Sequence, residues 1–94
     1  MNAELSQVPQ LNSLFRLQWE PAQQAHVLLY PEGMVKLNAS AGAILALVDG
    51  QACLAEIIAL LQHQFPEANG LSEDVLHFIQ IAQQQNWLRL QAPS

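Results

Sequence analysis

The chain has one cysteine, Cys53, among its 94 residues. That excludes an intrachain disulfide and a metal cage built from cysteines. Cationic side chains are nearly as scarce: Arg16, Lys36 and Arg89 face eight acidic residues, for a formal net charge of −5. Phosphate-backbone recognition needs clustered Lys and Arg, so these three scattered cations exclude nucleic acid as a partner. Long apolar runs are missing too. A stretch such as AILALV at 43–48 is far short of the ~20 residues that span a bilayer. The opening MNAELSQVPQ lacks the basic start and apolar stretch of a secretory signal. A cytoplasmic location with no membrane partner is therefore expected. The glycines, at 33, 42, 50 and 70, stand too far apart for a phosphate-cradling loop.

What is present points to a packed domain. Apolar residues make up 51% of the chain, and its length holds one modest core. Residues 1–14 have no sustained period and contain Pro9, so an irregular N-terminal segment is expected there. A single domain over 15–90 and a short tail at 91–94 complete the expected organisation.

The domain begins with strand patterns. FRLQW at 15–19 alternates, with Phe15, Leu17 and Trp19 on one face and Arg16 and Gln18 on the other. EPAQQA at 20–25 reads as a loop. HVLLY at 26–30 is apolar on both parities, as in a central strand covered on both faces. Pro31, Glu32 and Gly33 then form a turn, in which Gly33 is expected to take a left-handed conformation that closes a bulged hairpin. Met34, Val35, Lys36 and Leu37 return as a third strand at the edge of the sheet.

Helical periods follow. Asn38 or Ser40 caps a first helix with an Ala41, Ile44, Leu45, Val48 stripe that Asp49-Gly50 stops. A second helix starts at Cys53, with Glu56 in capping-box position, and ends at Phe65 before Pro66. Its stripe is Leu54, Ile57, Ile58 and Leu61. A third helix over 72–86 takes Ser72 as its cap, Glu73 and Asp74 in its first turn, and a core stripe of Val75, Phe78, Ile79 and Ala82. Asn86 takes a left-handed exit, Trp87 folds back on the core, and WLRL adds a short extended segment. The fold class is α+β: a three-stranded antiparallel sheet followed by three helices, similar in outline to a winged helix-turn-helix.

The pattern holds little chemistry. His26, His63 and His77 have no ligand partner at helical spacing, so no metal is expected. Cys53 has no nearby histidine to act as base, and a capping or partly buried role explains it. The third helix carries no Lys or Arg and opens on two carboxylates, which repels DNA. The chain reads as a non-enzyme. What remains is an open strand edge at 34–37, flanked on the third helix by Ile81 and Phe78, on the same side as Asp74 and His77. An extended peptide added to the edge would lodge its side chains against that helix.

The residues also carry a resemblance. HVLLYPEGMVKLN, with RLQWE upstream and A-x-x-IL, DG, an E-I on the second helix and DV…F…W downstream, closely resembles the PqqD family of pyrroloquinoline quinone biosynthesis. The resemblance covers roughly residues 9–90. Cys53 departs from the usual Thr or Ser cap, and Asn86 from the glycine that usually precedes the tryptophan. The resemblance implies a peptide chaperone and RiPP recognition element. It would bind the precursor peptide PqqA and present it to PqqE, a radical S-adenosylmethionine enzyme that crosslinks a Glu to a Tyr. Iron–sulfur clusters and chemistry would belong to that enzyme, leaving this chain without a cofactor. In related elements the peptide pairs with the third strand and lies against the third helix, which maps onto 34–37 and 72–86. Two other readings stay open: a non-catalytic quinone-binding accessory, and a self-associating module whose edge makes a homodimer at high concentration.

Overall fold

Alternating side chains and short turns build the sheet first. The computed structural model describes residues 3–92, which run as a 3-10 turn (Ala3–Ser6), β1 (Val8–Leu11), β2 (Arg16–Glu20), β3 (Ala25–Tyr30), β4 (Gly33–Lys36), α1 (Ala39–Ala46), α2 (Leu54–Gln64), α3 (Leu71–Gln84) and β5 (Leu88–Gln91). The antiparallel order β2-β3-β4 leaves β4 at an edge, as expected. Tyr30 sits opposite Gly33, so the hairpin closes over Pro31 and Glu32 alone. Gly33 has φ 159°, far from the left-handed value near 60° that a bulged closure requires. That expectation is corrected: the turn needs no extra residue.

The central strand does bury both parities. Leu28 faces the helices in the main core, while Val27, on the other face, is fully buried apart from that core. Phe15 and Leu17 pack against the core. Trp19 does not follow them. It stands half exposed at the rim, edge-on to His26 with ring centroids 5.1 Å apart.

Two segments differ from expectation near the ends. Part of the N-terminal segment expected to be irregular is strand β1, which pairs antiparallel with β5 from Val8↔Gln91 to Leu11↔Leu88. Proline is tolerated there because a two-stranded ladder consists only of edges. Pro9 is buried, and the Gln7 carbonyl accepts the Leu54 N–H at 2.9 Å, tying this segment to the start of α2. Likewise Leu90 and Gln91 belong to a strand that reaches into the expected tail. Residues 1–2 and 93–94 of these segments lie outside the described residues.

The helices keep their stripes and shift some ends. Asn38, not Ser40, caps α1: its Oδ1 accepts the Ala41 N–H at 2.8 Å, and Ser40 Oγ donates to the same oxygen. The helix stops at Ala46, before Val48. Asp49 instead organises the next turn by accepting the N–H groups of Gln51 and Ala52. Those bonds, with Ala52 the larger cause and Gln51 next, hold its carboxyl below the usual carboxylate range. At α2, Glu56 Oε1 accepts the Cys53 N–H at 2.9 Å, and Leu54, Ile57, Ile58 and Leu61 are buried.

At α3 the cap is corrected from Ser72 to Gly70, whose φ of 68° suits glycine; Ser72 lies inside the first turn. Val75, Ile79 and Ala82 are buried, but Phe78 is only half buried and borders the core. Asn86 has φ 62°, and the bonds Trp87 N–H to Ala82 carbonyl and Asn86 N–H to Gln83 carbonyl make a Schellman exit. Trp87 thereby turns back onto Phe78, ring centroids 6.4 Å apart.

Candidate functional site

The open edge can be resolved atom by atom. Leu37, just beyond β4, donates its N–H to the His26 carbonyl at 3.0 Å. In an antiparallel ladder, residues whose backbone groups are used alternate with residues whose groups point away. With Leu28 opposite Val35 and Tyr30 opposite Gly33, the N–H and C=O groups of Gly33, Val35 and Leu37 face β3. Those of Met34 and Lys36 face outward. Both residues are exposed, and they offer the pairing sites of a missing strand. Val35 and Leu37 point their side chains to the core, where Leu37 is 4% exposed. Val35 and Leu37 thus turn their backbone groups to β3, and the outward pairing groups on this strand are those of Met34 and Lys36.

β4 leads through Asn38 directly into α1, and there the surface opens into an apolar cleft of about 400 Å³. Ala39 and Ala43 of α1, Phe65 at the end of α2, and Leu71, Asp74 and Phe78 of α3 line it. The sequence explains the shape. Alanines on α1 keep its outer face low, Pro66 prevents α2 from extending over the opening, and the Schellman exit seats Trp87 behind Phe78. Asn12 fixes that seat. Its N–H donates to the Trp87 carbonyl and its Nδ2 to the Asn86 carbonyl, both at 2.9 Å.

Of the candidate residues, the structure brings Asp74 and Phe78 into the cleft and leaves Met34 and Lys36 on the adjoining edge. Ile81 does not line the cleft. It stands 37% exposed, one turn beyond Phe78 on the same side of α3. Sequence reasoning passed over Ala39, Ala43, Phe65 and Leu71. Phe65 carried a usable signal: it continues the stripe four residues beyond Leu61, yet Pro66 ends the helix there and leaves the ring at the helix end. The alanines carried none. Among the described residues no group of three or more His, Cys, Asp or Glu side chains is placed to hold a metal ion. No helix among them is long and apolar enough to cross a membrane.

The chain is similar to known proteins. The family model described as coenzyme PQQ synthesis protein D (PqqD) matches residues 25–88. The chain is 57% identical over 86 residues to a protein of Azotobacter vinelandii named PqqA binding protein, covering 92% of this chain and 94% of that one. A protein of the same name from Klebsiella pneumoniae is 58% identical over 79 residues, 84% of this chain and 86% of the relative. The fold matches the solution NMR structure of the PqqD truncation of Methylobacterium extorquens PqqCD, described as a functional and stand-alone RiPP recognition element. That match has a TM-score of 0.72 and 31% identity, over 87% of this chain and 88% of the other.

Proposed function

The chain belongs to the PqqD family of coenzyme PQQ synthesis proteins, and from that premise we propose that it is a peptide chaperone for the precursor PqqA. The peptide adds an antiparallel or parallel strand to β4 and sets apolar side chains into the cleft beside it. The observation that carries this reading is the outward phase of Met34 and Lys36 next to a cleft walled by Phe65 and Phe78. A segment long enough to pass the cleft also reaches Ile81.

The energetics suit a carrier. About four main-chain hydrogen bonds at ~1 kcal/mol and two apolar anchors at ~2 kcal/mol give ~8 kcal/mol before costs. Ordering the peptide and losing its translational freedom remove several kcal/mol of that. A complex of this strength releases its cargo, as handing the peptide to PqqE requires. In this reading the crosslinking chemistry belongs to that radical S-adenosylmethionine enzyme, and the chain itself is a cytoplasmic binding module without catalysis.

Titration of the protein with synthetic PqqA, followed by backbone amide shifts, tests this. Shifts are expected first at Met34 and Lys36 and then at the residues lining the cleft. Saturable shifts confined to β1, β5 or the outer face of α2 would refute it.

A further inference from the structure

The cleft is apolar except for one formal charge. Among its lining residues Asp74 alone is ionisable, and its carboxylate makes no hydrogen bond or ion pair with any described residue. Around it are Phe65, Leu71 and Phe78, side chains that exclude water from whatever enters. The cations of the chain lie elsewhere: Arg16 on β2, Lys36 on the outer edge, and Arg89 on β5, where it donates to Gln10. Lys36 stands on the adjoining edge and the α3 N-terminus is positive, but no cationic side chain lines the cleft itself. An apolar side chain seated here thus brings its neighbours past an exposed, unpaired anion, beside which a cation gains and an anion loses.

We propose that Asp74 is a specificity residue, which makes the cleft select a peptide segment carrying Lys or Arg beside its apolar anchor. This rests on the peptide-binding reading above and names the chemistry of the segment that binds. Glu73 supplies the internal control. It occupies the same first turn, so it interacts with the helix dipole as Asp74 does, but it does not line the cleft. The selectivity belongs to position 74 and not to the turn.

Calorimetric titration decides the matter with two probes: synthetic PqqA, and PqqA with every lysine and arginine it carries replaced by norleucine or citrulline. The wild type is expected to bind the first about two- to fivefold more tightly than the second, the range of an exposed charge pair. Asp74→Asn is expected to abolish that ratio by weakening only the charged peptide, while Glu73→Gln keeps it. Asp74→Lys is expected to invert the preference in favour of the neutral peptide. Equal binding of the two peptides by the wild type overturns the proposal and leaves the peptide-binding reading standing. A ratio that survives Asp74→Asn overturns it in the same way. Failure of both peptides to bind the folded wild type removes the peptide-binding reading, and this proposal with it.

Discussion

A Cβ on Gly42 would stand 2.7 Å from His26 Nδ1 and 3.1 Å from the His26 Cβ, so α1 and β3 meet at a distance that only glycine permits. Alanine favours a helix interior over glycine by about 1 kcal/mol. The contact reverses that sign, because the stem of His26 has to move as well as its ring. Gly42→Ala is therefore expected to lower stability by ~1–3 kcal/mol, the usual range for overpacking. Thermal melts of Gly42→Ala in the parent and in a His26→Gly background, which removes both contacts, check the cause. The double variant should regain the helix-propensity gain that the single variant hides.

Proline separates the two roles of β4. Lys36→Pro removes an outward N–H and is expected to keep the fold while weakening PqqA binding by about 1 kcal/mol or more. Val35→Pro removes a bond to Leu28 and should cost the domain ~3 kcal/mol before any peptide is added. Melting curves paired with titrations read both effects. If Lys36→Pro binds the peptide like the parent, strand addition is the wrong mode.

Phe65 and Ile81 test the extent of the contact surface. Both are exposed, so Phe65→Ser and Ile81→Ser should each change stability by less than about 1 kcal/mol. Phe65 lines the cleft, and its loss is expected to weaken the peptide complex by ~1–2 kcal/mol. The loss at Ile81 should be smaller, since the peptide meets it beyond the cleft. Phe78→Ala should lower both stability and binding, because that ring touches Trp87 and the core as well as the cleft. A larger binding loss at Ile81 than at Phe65 would move the occupied groove toward the end of α3.

Asp49 gives a pH dependence with a definite sign. Its folded carboxyl is held below the ordinary 3.8 by the N–H groups of Ala52 and Gln51. A depressed carboxylate contributes stability that is complete above the unfolded value and is lost as pH falls through the folded one. Melting temperature measured downward from pH 5 should therefore fall less steeply in Asp49→Ala than in the parent. Parallel slopes would show that the turn gains nothing from the charge.

The open edge has a second use that competes with the first. Another copy can pair with Met34 and Lys36, which makes a homodimer at high protein concentration the expected form. A ligand that takes the same edge draws the population to the monomer. Sedimentation with and without excess PqqA should show dimer giving way to a monomer–peptide complex. A dimer that binds peptide and does not dissociate has its interface on another surface.

Much of this was legible in the residues because local chemistry decided it. Alternation exposed β2, the two-parity apolar run exposed β3, and Asn38, Glu56 and Asn86 each acted within a few residues of where they stand. The misses have a common physical cause, which is pairing across the chain. Nothing near Val8 announces Gln91 as its partner, so β1 looked irregular, and Pro9 strengthened that reading. Gly70 displaced Ser72 as the α3 cap because the preceding loop enters at a positive φ that serine does not favour. In the site, the strand edge and Asp74 were visible as a pattern break and a charge. Met34, Val35, Lys36 and Leu37 were grouped together because alternation does not show which members of the strand turn their backbone groups to the sheet. The alanines of α1 matter only through the space they leave, and periodicity does not report empty space.

The β1–β5 ladder also sets an order of events during synthesis. Val8 leaves the ribosome ahead of β2–β4 and the helices and Gln91 after them, so β1 has no partner until the rest of the domain has emerged. The β2-β3-β4 sheet and the helices that follow it can pack before then, whereas Asn12 can bond the Asn86 and Trp87 carbonyls only at the end. An unpaired strand invites wrong partners during that wait, and a proline within it removes one of the N–H groups that would receive them. Pro9 thus gives the waiting strand one fewer N–H with which a wrong partner could pair.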